Sequence, residues 1–236
     1  MLESGILNVN KPAGKSSFDI VRMIRDRLRV KRVGHGGTLD PMARGVLLVC
    51  FGKATKAFDL LIAQKKTYRA TVLLGFETAT FDLTSEVSVF PEPGIRPSLE
   101  DVRKGLSSFL GEIEQLPPVY SAVKVNGRRL YHYARHNDAV EVKPRKVTVY
   151  SIELLDYSYP YIKFTVECSK GTYIRTIARY LGALLGTRAT MNNLVRTRSG
   201  RFGIEDSLDM DAIERMTAGE LLEHACLLED AVNSGI

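Results

Sequence analysis

Cysteine, long apolar runs and metal-ligand spacings are scarce in this chain of 236 residues, and each shortage removes a class of function. The three cysteines, Cys50, Cys168 and Cys226, are widely spaced and include no CxxC pair. That argues against a disulfide framework or a zinc ribbon and for a reducing compartment. Cys168 ends an apolar segment instead of sitting in a basic, exposed setting, so it reads as core and not as a nucleophile. His35, His132, His136 and His224 show no ligand spacing with one another or with the cysteines, and no metal is expected. The longest apolar runs, such as Gly45 to Phe51, are far too short to cross a bilayer, and Met1-Leu-Glu-Ser-Gly has no basic head or apolar stretch of a signal peptide. The expectation is a cytoplasmic protein without membrane contact. There is no internal repeat, low-complexity segment or obvious linker.

With 44% hydrophobic residues the chain can bury a sizeable core as one α+β domain or as a domain with a small appendage. The net charge of +6 conceals an uneven spread: residues 1–203 carry a net +14 and residues 204–236 a net −8. A basic body suits a polyanionic partner through phosphate contacts and counterion release.

Ile6 to Val9 reads as a short strand, followed by a turn at Lys11-Pro12-Ala-Gly14 and a helix from about Ser17 to Leu28. That helix is expected to bury Phe18, Val21, Ile24 and Leu28 and to carry Arg22, Arg25, Arg27 and Arg29 on its other face, running on into Lys31-Arg32. Strands are expected at Gly45 to Phe51, Thr67 to Leu74, Lys146 to Leu154 and Ile162 to Cys168. Helices are expected from Leu99 to Leu110, behind a Pro97-Ser98 cap signal, and from Thr172 to Leu185, with Ile174, Ile177, Ala178, Leu181 and Leu184 or Leu185 buried. Gly127 to His136 interleaves Arg128, Arg129 and Arg135 with Tyr131, His132 and Tyr133. Such a pattern can hold phosphates and stack bases, or form a solvated amphipathic helix. The last 30 residues read as two short acidic helices.

The stretch Gly34-His-Gly-Gly-Thr-Leu-Asp40-Pro41 places one carboxylate at the end of a loop with few side chains. Gly34, Gly36 and Gly37 permit positive φ and remove Cβ bulk, leaving room for close approach by another molecule, and Pro41 pushes Asp40 toward an extended backbone. Gly14-Lys15-Ser16 imitates the end of a phosphate-binding loop but has Val9 where that motif needs glycine. Arg175 falls in the first turn of a helix capped by Thr172, where the macrodipole disfavours a cation and so calls for an anionic partner. Asp40 is a carboxylate that could supply it, and the guanidinium would keep it ionised.

Read in order from Gly5 to about Phe202, these segments resemble the bacterial tRNA pseudouridine synthase B family, TruB, and more distantly the dyskerin group. The resemblance is carried by Gly5-Ile-Leu-Asn-Val-Asn-Lys-Pro, by Gly34 to Pro41 with Ala43-Arg-Gly-Val-Leu, by Lys66-Thr-Tyr-Arg-Ala and by Gly75 to Asp82. It continues through Gln115 to Lys124 with Gly127-Arg-Arg-Leu-Tyr, Ser169-Lys-Gly-Thr-Tyr-Ile-Arg175-Thr and Leu194-Val-Arg-Thr-Arg-Ser-Gly. It implies a pseudouridine synthase fold, a mixed and largely antiparallel sheet flanked by helices, spanning residues 1–203 with an acidic helical tail at 204–236 packed on it.

The resemblance further implies that Asp40 is the catalytic aspartate, Tyr68 the tyrosine that stacks on the target base, and Arg175 the ion-pair partner of Asp40. His35 fills space left by extruded nucleotides, Lys11 and Pro12 buttress the site, and Leu194 is a pocket wall. Tyr173, Arg128 and Arg129 join the substrate-binding set. The implied substrate is the T-loop uridine at tRNA position 55, held through the T-arm stem-loop by a monomer without metal or cofactor. Attack at C1′, attack at C6 and a glycal route all fit the residues, as acid–base or covalent catalysis. A catalytically silent RNA-binding module and a base-removing glycosylase are the rival functions. Many members have Asp where Ala79 and Tyr180 stand, and many continue into a PUA-type domain beyond the last residue here.

Overall fold

The computed structural model describes residues 4–89, 96–136 and 138–228. It divides into two compact units, Met1–Tyr68 with Val195–Ile236, and Arg69–Leu194. The strands Lys66–Leu74 and Ala189–Ser199 each run from one unit into the other.

In the first unit the strand Arg44–Phe51 is central. It pairs antiparallel with Gly5–Lys11, from Gly5 opposite Phe51 to Lys11 opposite Gly45, and antiparallel with Val33–His35. All seven residues Gly45–Phe51 are buried, as expected of a continuous apolar strand covered on both faces. Ile6, Val46, Leu48, Cys50, Ala54 and Leu61 pack as one core, each of the larger side chains contributing about 1.5–3 kcal/mol by burial. Burial pushes the Cys50 thiol up to about 12, which makes it inert. Leu208–Asp209 lies parallel to Val9–Asn10, and Ile6 and Cys226 exchange main-chain hydrogen bonds, so the acidic segment forms part of this sheet. The short helices Met210–Arg215 and Ala218–Glu223 follow, as the sequence predicted.

Helix Ser17–Leu28 opens on a reciprocal Ser16–Asp19 capping box and stops where Arg29 turns left-handed at φ 52°. Its inner face is Ser17, Ile20, Val21 and Ile24, whereas Phe18 is 58% exposed beneath the Arg22 guanidinium. The expected stripe was therefore one position out at its start, because Ser17 turns inward to a polar partner. On the other face Arg25 donates to the carbonyl of Val33 and Arg27 to those of Glu214 and Met216, whereas Arg22, Arg29, Lys31 and Arg32 are exposed.

The second unit orders its strands Ala189–Ser199, Lys66–Leu74, Tyr161–Cys168, Arg145–Ser158 and Gly111–Gln115. Tyr161–Cys168 and Gly111–Gln115 both run antiparallel to Arg145–Ser158. Helix Leu99–Ser107 begins at a Ser98–Asp101 capping box, as the cap signal predicted, but ends a turn before Leu110. Helix Ile174–Leu184 begins later than expected, because the Thr172 hydroxyl donates to the carbonyl of Ser169 instead of capping. Its buried face ends on Leu185, and Leu184 is exposed. Cys168 is buried, as core. Among the described residues no helix is long and apolar enough to cross a membrane.

Candidate active site

In the first unit the backbone on both sides of Asp40 is held group by group. The Ser17 hydroxyl donates to the Leu39 carbonyl at 3.0 Å and accepts the Leu39 N–H at 2.9 Å. The Ala43 N–H reaches the carbonyl of Asp40, and the Gly14 N–H that of Pro41 at 2.8 Å. Lys11, fully buried, spends its ammonium on the carbonyls of Pro12, Lys15 and Pro41. It therefore braces the loop, and its charge is not offered to a ligand. Burial lowers its pKa to about 8, against the pull of the nearby Asp40 carboxylate toward a charged ammonium. The Arg196 guanidinium, 1% exposed, donates to the carbonyls of Val46, Thr38 and Gly37. Asp40 itself stays half-buried.

The loop glycines serve packing within the protein more than access from outside. A Cβ on Gly34 would lie 2.4 Å from the Phe58 ring and one on Gly36 2.8 Å from Leu61, so these two are kept bare by the chain's own segment. Only Gly37 of the three uses a positive φ, 121°. This corrects the expectation that all three make room for a partner. His35 lies half-buried on the strand Val33–His35 beside them.

Tyr68 is 9% exposed on Lys66–Leu74, whose inward positions alternate as Lys66, Tyr68, Ala70, Val72 and Leu74. Lys66, also buried, donates to the carbonyls of Leu61, Ile62 and Gln64.

Arg175 belongs to the second unit, where it is 3% exposed in the first turn of its helix. Its guanidinium lies 3.3 Å from the Asp82 carboxylate and donates to the carbonyls of Thr80 and Tyr120. Asp82 is thus an anion of the kind the macrodipole argument demands, and its carboxylate also accepts from the hydroxyls of Thr80 and Thr84 and from the Thr84 N–H. Gln115 clamps the neighbouring Tyr173 backbone, accepting its N–H and donating to its carbonyl. Leu194 is buried at 4% exposure. The Tyr180 hydroxyl accepts the Leu116 N–H.

Lys124–Val125 and Arg128–Arg129 form a two-stranded hairpin about Asn126 and Gly127, both at positive φ, and Leu130–His136 continues as a short helix. Arg128 and Arg129 are exposed. Arg128 lies over the Tyr133 ring at 5.1 Å and 3.9 Å from Asp138, and Arg135 lies over Tyr131. Among the described residues no group of three or more His, Cys, Asp or Glu is arranged to hold a metal ion.

A family model described as the N-terminal domain of TruB family pseudouridylate synthases matches residues 25–174, a stretch that includes the Asp40 loop and Tyr68 and ends beside Arg175. The chain belongs to the TruB family. It is an α+β enzyme of the pseudouridine synthase fold, an isomerase by membership. The tRNA pseudouridine synthase B of Clostridium kluyveri is 46% identical over 97% of this chain and 77% of its own length. That of Protochlamydia amoebophila is 46% identical over 90% and 80%. Among solved structures, an archaeal box H/ACA sRNP Nop10-Cbf5 complex is 27% identical with a TM-score of 0.70, over 97% of this chain and 61% of that one. An H/ACA RNP bound to a substrate RNA containing 2′-deoxyuridine is 29% identical with a TM-score of 0.64, over 88% of this TruB chain and 51% of its matched chain.

Three buried polar residues went unassigned at the level of sequence: Ser17 and Arg196 in the first unit and Asp82 in the second. Asp82 and Arg196 lie inside segments that carry the family resemblance, but nothing in a linear pattern says that either side chain is buried. A single signal was available, an arginine interrupting an otherwise strand-like run at Leu194–Thr197.

Proposed function

We propose that this chain is a tRNA pseudouridine(55) synthase, which flips the T-loop uridine out of its stack and isomerises it at Asp40. The carrying observation is the 46% identity, over nearly all of this chain, to a protein named tRNA pseudouridine synthase B. The pinned backbone around Asp40 supports it, since a carboxylate that must meet a sugar and a base gains from a fixed position.

In the reaction the N1–C1′ bond breaks, the base turns, and C5 bonds to C1′. The proton on C5 leaves to solvent and N1 ends protonated, so atoms balance and nothing is oxidised or reduced. Asp40 acts by covalent addition or as the acid–base group. Tyr68 stacks on the extruded base and takes the C5 proton, while Arg175 serves as ion-pair partner to Asp40 in addition to Asp82. His35 fills the vacated space, and Leu194 and Tyr173 bound the base. Extrusion costs a few kcal/mol, which stacking and phosphate contacts from Arg128 and Arg129 offset. The enzyme works as a cytoplasmic monomer without metal or redox cofactor.

The test is a T-arm stem-loop tritiated at uridine C5. Tritium release with RNA mass otherwise unchanged is the expected result. Loss of uracil would make the protein a glycosylase, and binding without release would make it a silent RNA-binding module.

A further inference from the structure

We infer that Arg196 is a positioning residue for this reaction: its guanidinium fixes the backbone at Gly37 and Thr38, and through it the placement of Asp40. The inference rests on the reading of Asp40 as the reacting carboxylate.

From Gly37 to Pro41 every main-chain carbonyl has a donor. Leu39 is served by Ser17, Asp40 by Ala43, and Pro41 by Gly14 and Lys11. Gly37 and Thr38 are both served by Arg196, at 3.1 and 3.4 Å. One side chain therefore holds two consecutive carbonyls directly before Leu39 and Asp40. Its third anchor, Nε to the Val46 carbonyl at 2.7 Å, fixes the guanidinium plane to the central strand. All three of these hydrogen bonds from a buried cation go to carbonyls, a costly arrangement for a strand position that an apolar residue could fill.

Backbone contact places it there. Val195 and Arg196 pair parallel with Arg44 and Gly45, and a Cβ on Gly45, at φ 101°, would stand 2.2 Å from the Arg196 carbonyl. Only a bare residue at 45 lets the strands approach so closely. A planar fork reaches three acceptors in fixed directions, whereas a lysine ammonium is a point charge on a flexible stem.

The test compares Arg196→Lys and Arg196→Met with the unaltered enzyme on the same stem-loop, with kcat and KM measured separately and amide exchange followed over residues 34–43. The expectation for Arg196→Lys is a kcat lower by about 100-fold, KM within about threefold, and faster exchange at Leu39 and Asp40 with residues 46–51 still protected. An unchanged kcat, or a lowered kcat with loop exchange unaltered, overturns the inference. Should both variants fail to fold, the unaltered protein decides. Slowly exchanging, separately resolved Nη protons on Arg196 are expected by nitrogen-15 NMR, and an averaged, freely rotating guanidinium refutes the clamp. Asp40→Asn run alongside separates the two readings, since turnover surviving in that variant removes Asp40 while the exchange data still judge Arg196.

Discussion

The guanidinium of Arg175 lies 3.3 Å from the carboxylate of Asp82, and the two side chains are only 3% and 4% exposed. Removing one partner of such a pair leaves an uncompensated buried charge, at about 3–5 kcal/mol. Asp82→Ala is therefore expected to lower the urea midpoint markedly. Asp82→Asn keeps the shape and some hydrogen bonds, and is expected to lose turnover while keeping most RNA affinity. Equilibrium unfolding together with single-turnover rates checks both, and a turnover unchanged in Asp82→Asn would detach Arg175 from the chemistry.

Lys11 gives the fold a pH dependence. Its ammonium titrates near 8 in the folded protein, because burial disfavours the charge, and near the ordinary lysine value of 10.5 when unfolded. Between those values the unfolded chain binds a proton that the folded chain has lost, so stability rises with pH. Measured against Lys11→Met, the unfolding free energy of the unaltered protein is expected to be flat below about pH 8 and to climb from there toward about pH 10.5. With Asp40→Asn the attraction that keeps the ammonium charged is gone, and the climb starts at lower pH.

Gly34→Ala forces a methyl to within 2.4 Å of the Phe58 ring. Overpacking of this kind costs about 1–3 kcal/mol, although the φ of Gly34 is one that alanine adopts. The denaturant midpoint reads the loss, and truncating Phe58 in the same protein is expected to relieve the clash and recover part of it.

Arg128 and Arg129 sit exposed on a hairpin rather than on a core face. Their joint replacement by alanine is expected to weaken stem-loop binding across sequences and to flatten the salt dependence by about 0.7–0.9 in log–log slope for each phosphate no longer neutralised. Filter binding at several salt concentrations checks this, with kcat at saturating RNA expected to hold.

Much of the fold was legible because its strands announce themselves. Gly45 to Phe51 is continuously apolar, Lys66–Leu74 alternates, and Ser98 caps the helix that follows Pro97. What escaped was polar and buried. Ala189–Ser199 carries Thr190, Arg196 and Ser199 at full burial, so its pattern does not look like that of a strand packed on both faces. Phe18 misled for the converse reason, an aromatic side chain left outside beside an arginine while the small Ser17 faces inward. For the candidate site, the glycine loop drew attention to Asp40 and the first-turn charge to Arg175, and only the family resemblance proposed a role for either. Asp82 pairing with Arg175, and Arg196 reaching back to Gly37 across 159 residues of chain, are interactions that no local spacing encodes.

Asp40→Asn in the tritium-release assay is the most direct measurement of the central claim. The substitution keeps the side chain's size and most of its hydrogen-bonding capacity but removes the carboxylate, which leaves neither a nucleophile nor a base. The expected result is unaltered stem-loop affinity with tritium release at the level of the enzyme-free control. Release at anything near the unaltered rate, from a folded variant that binds RNA normally, would contradict it.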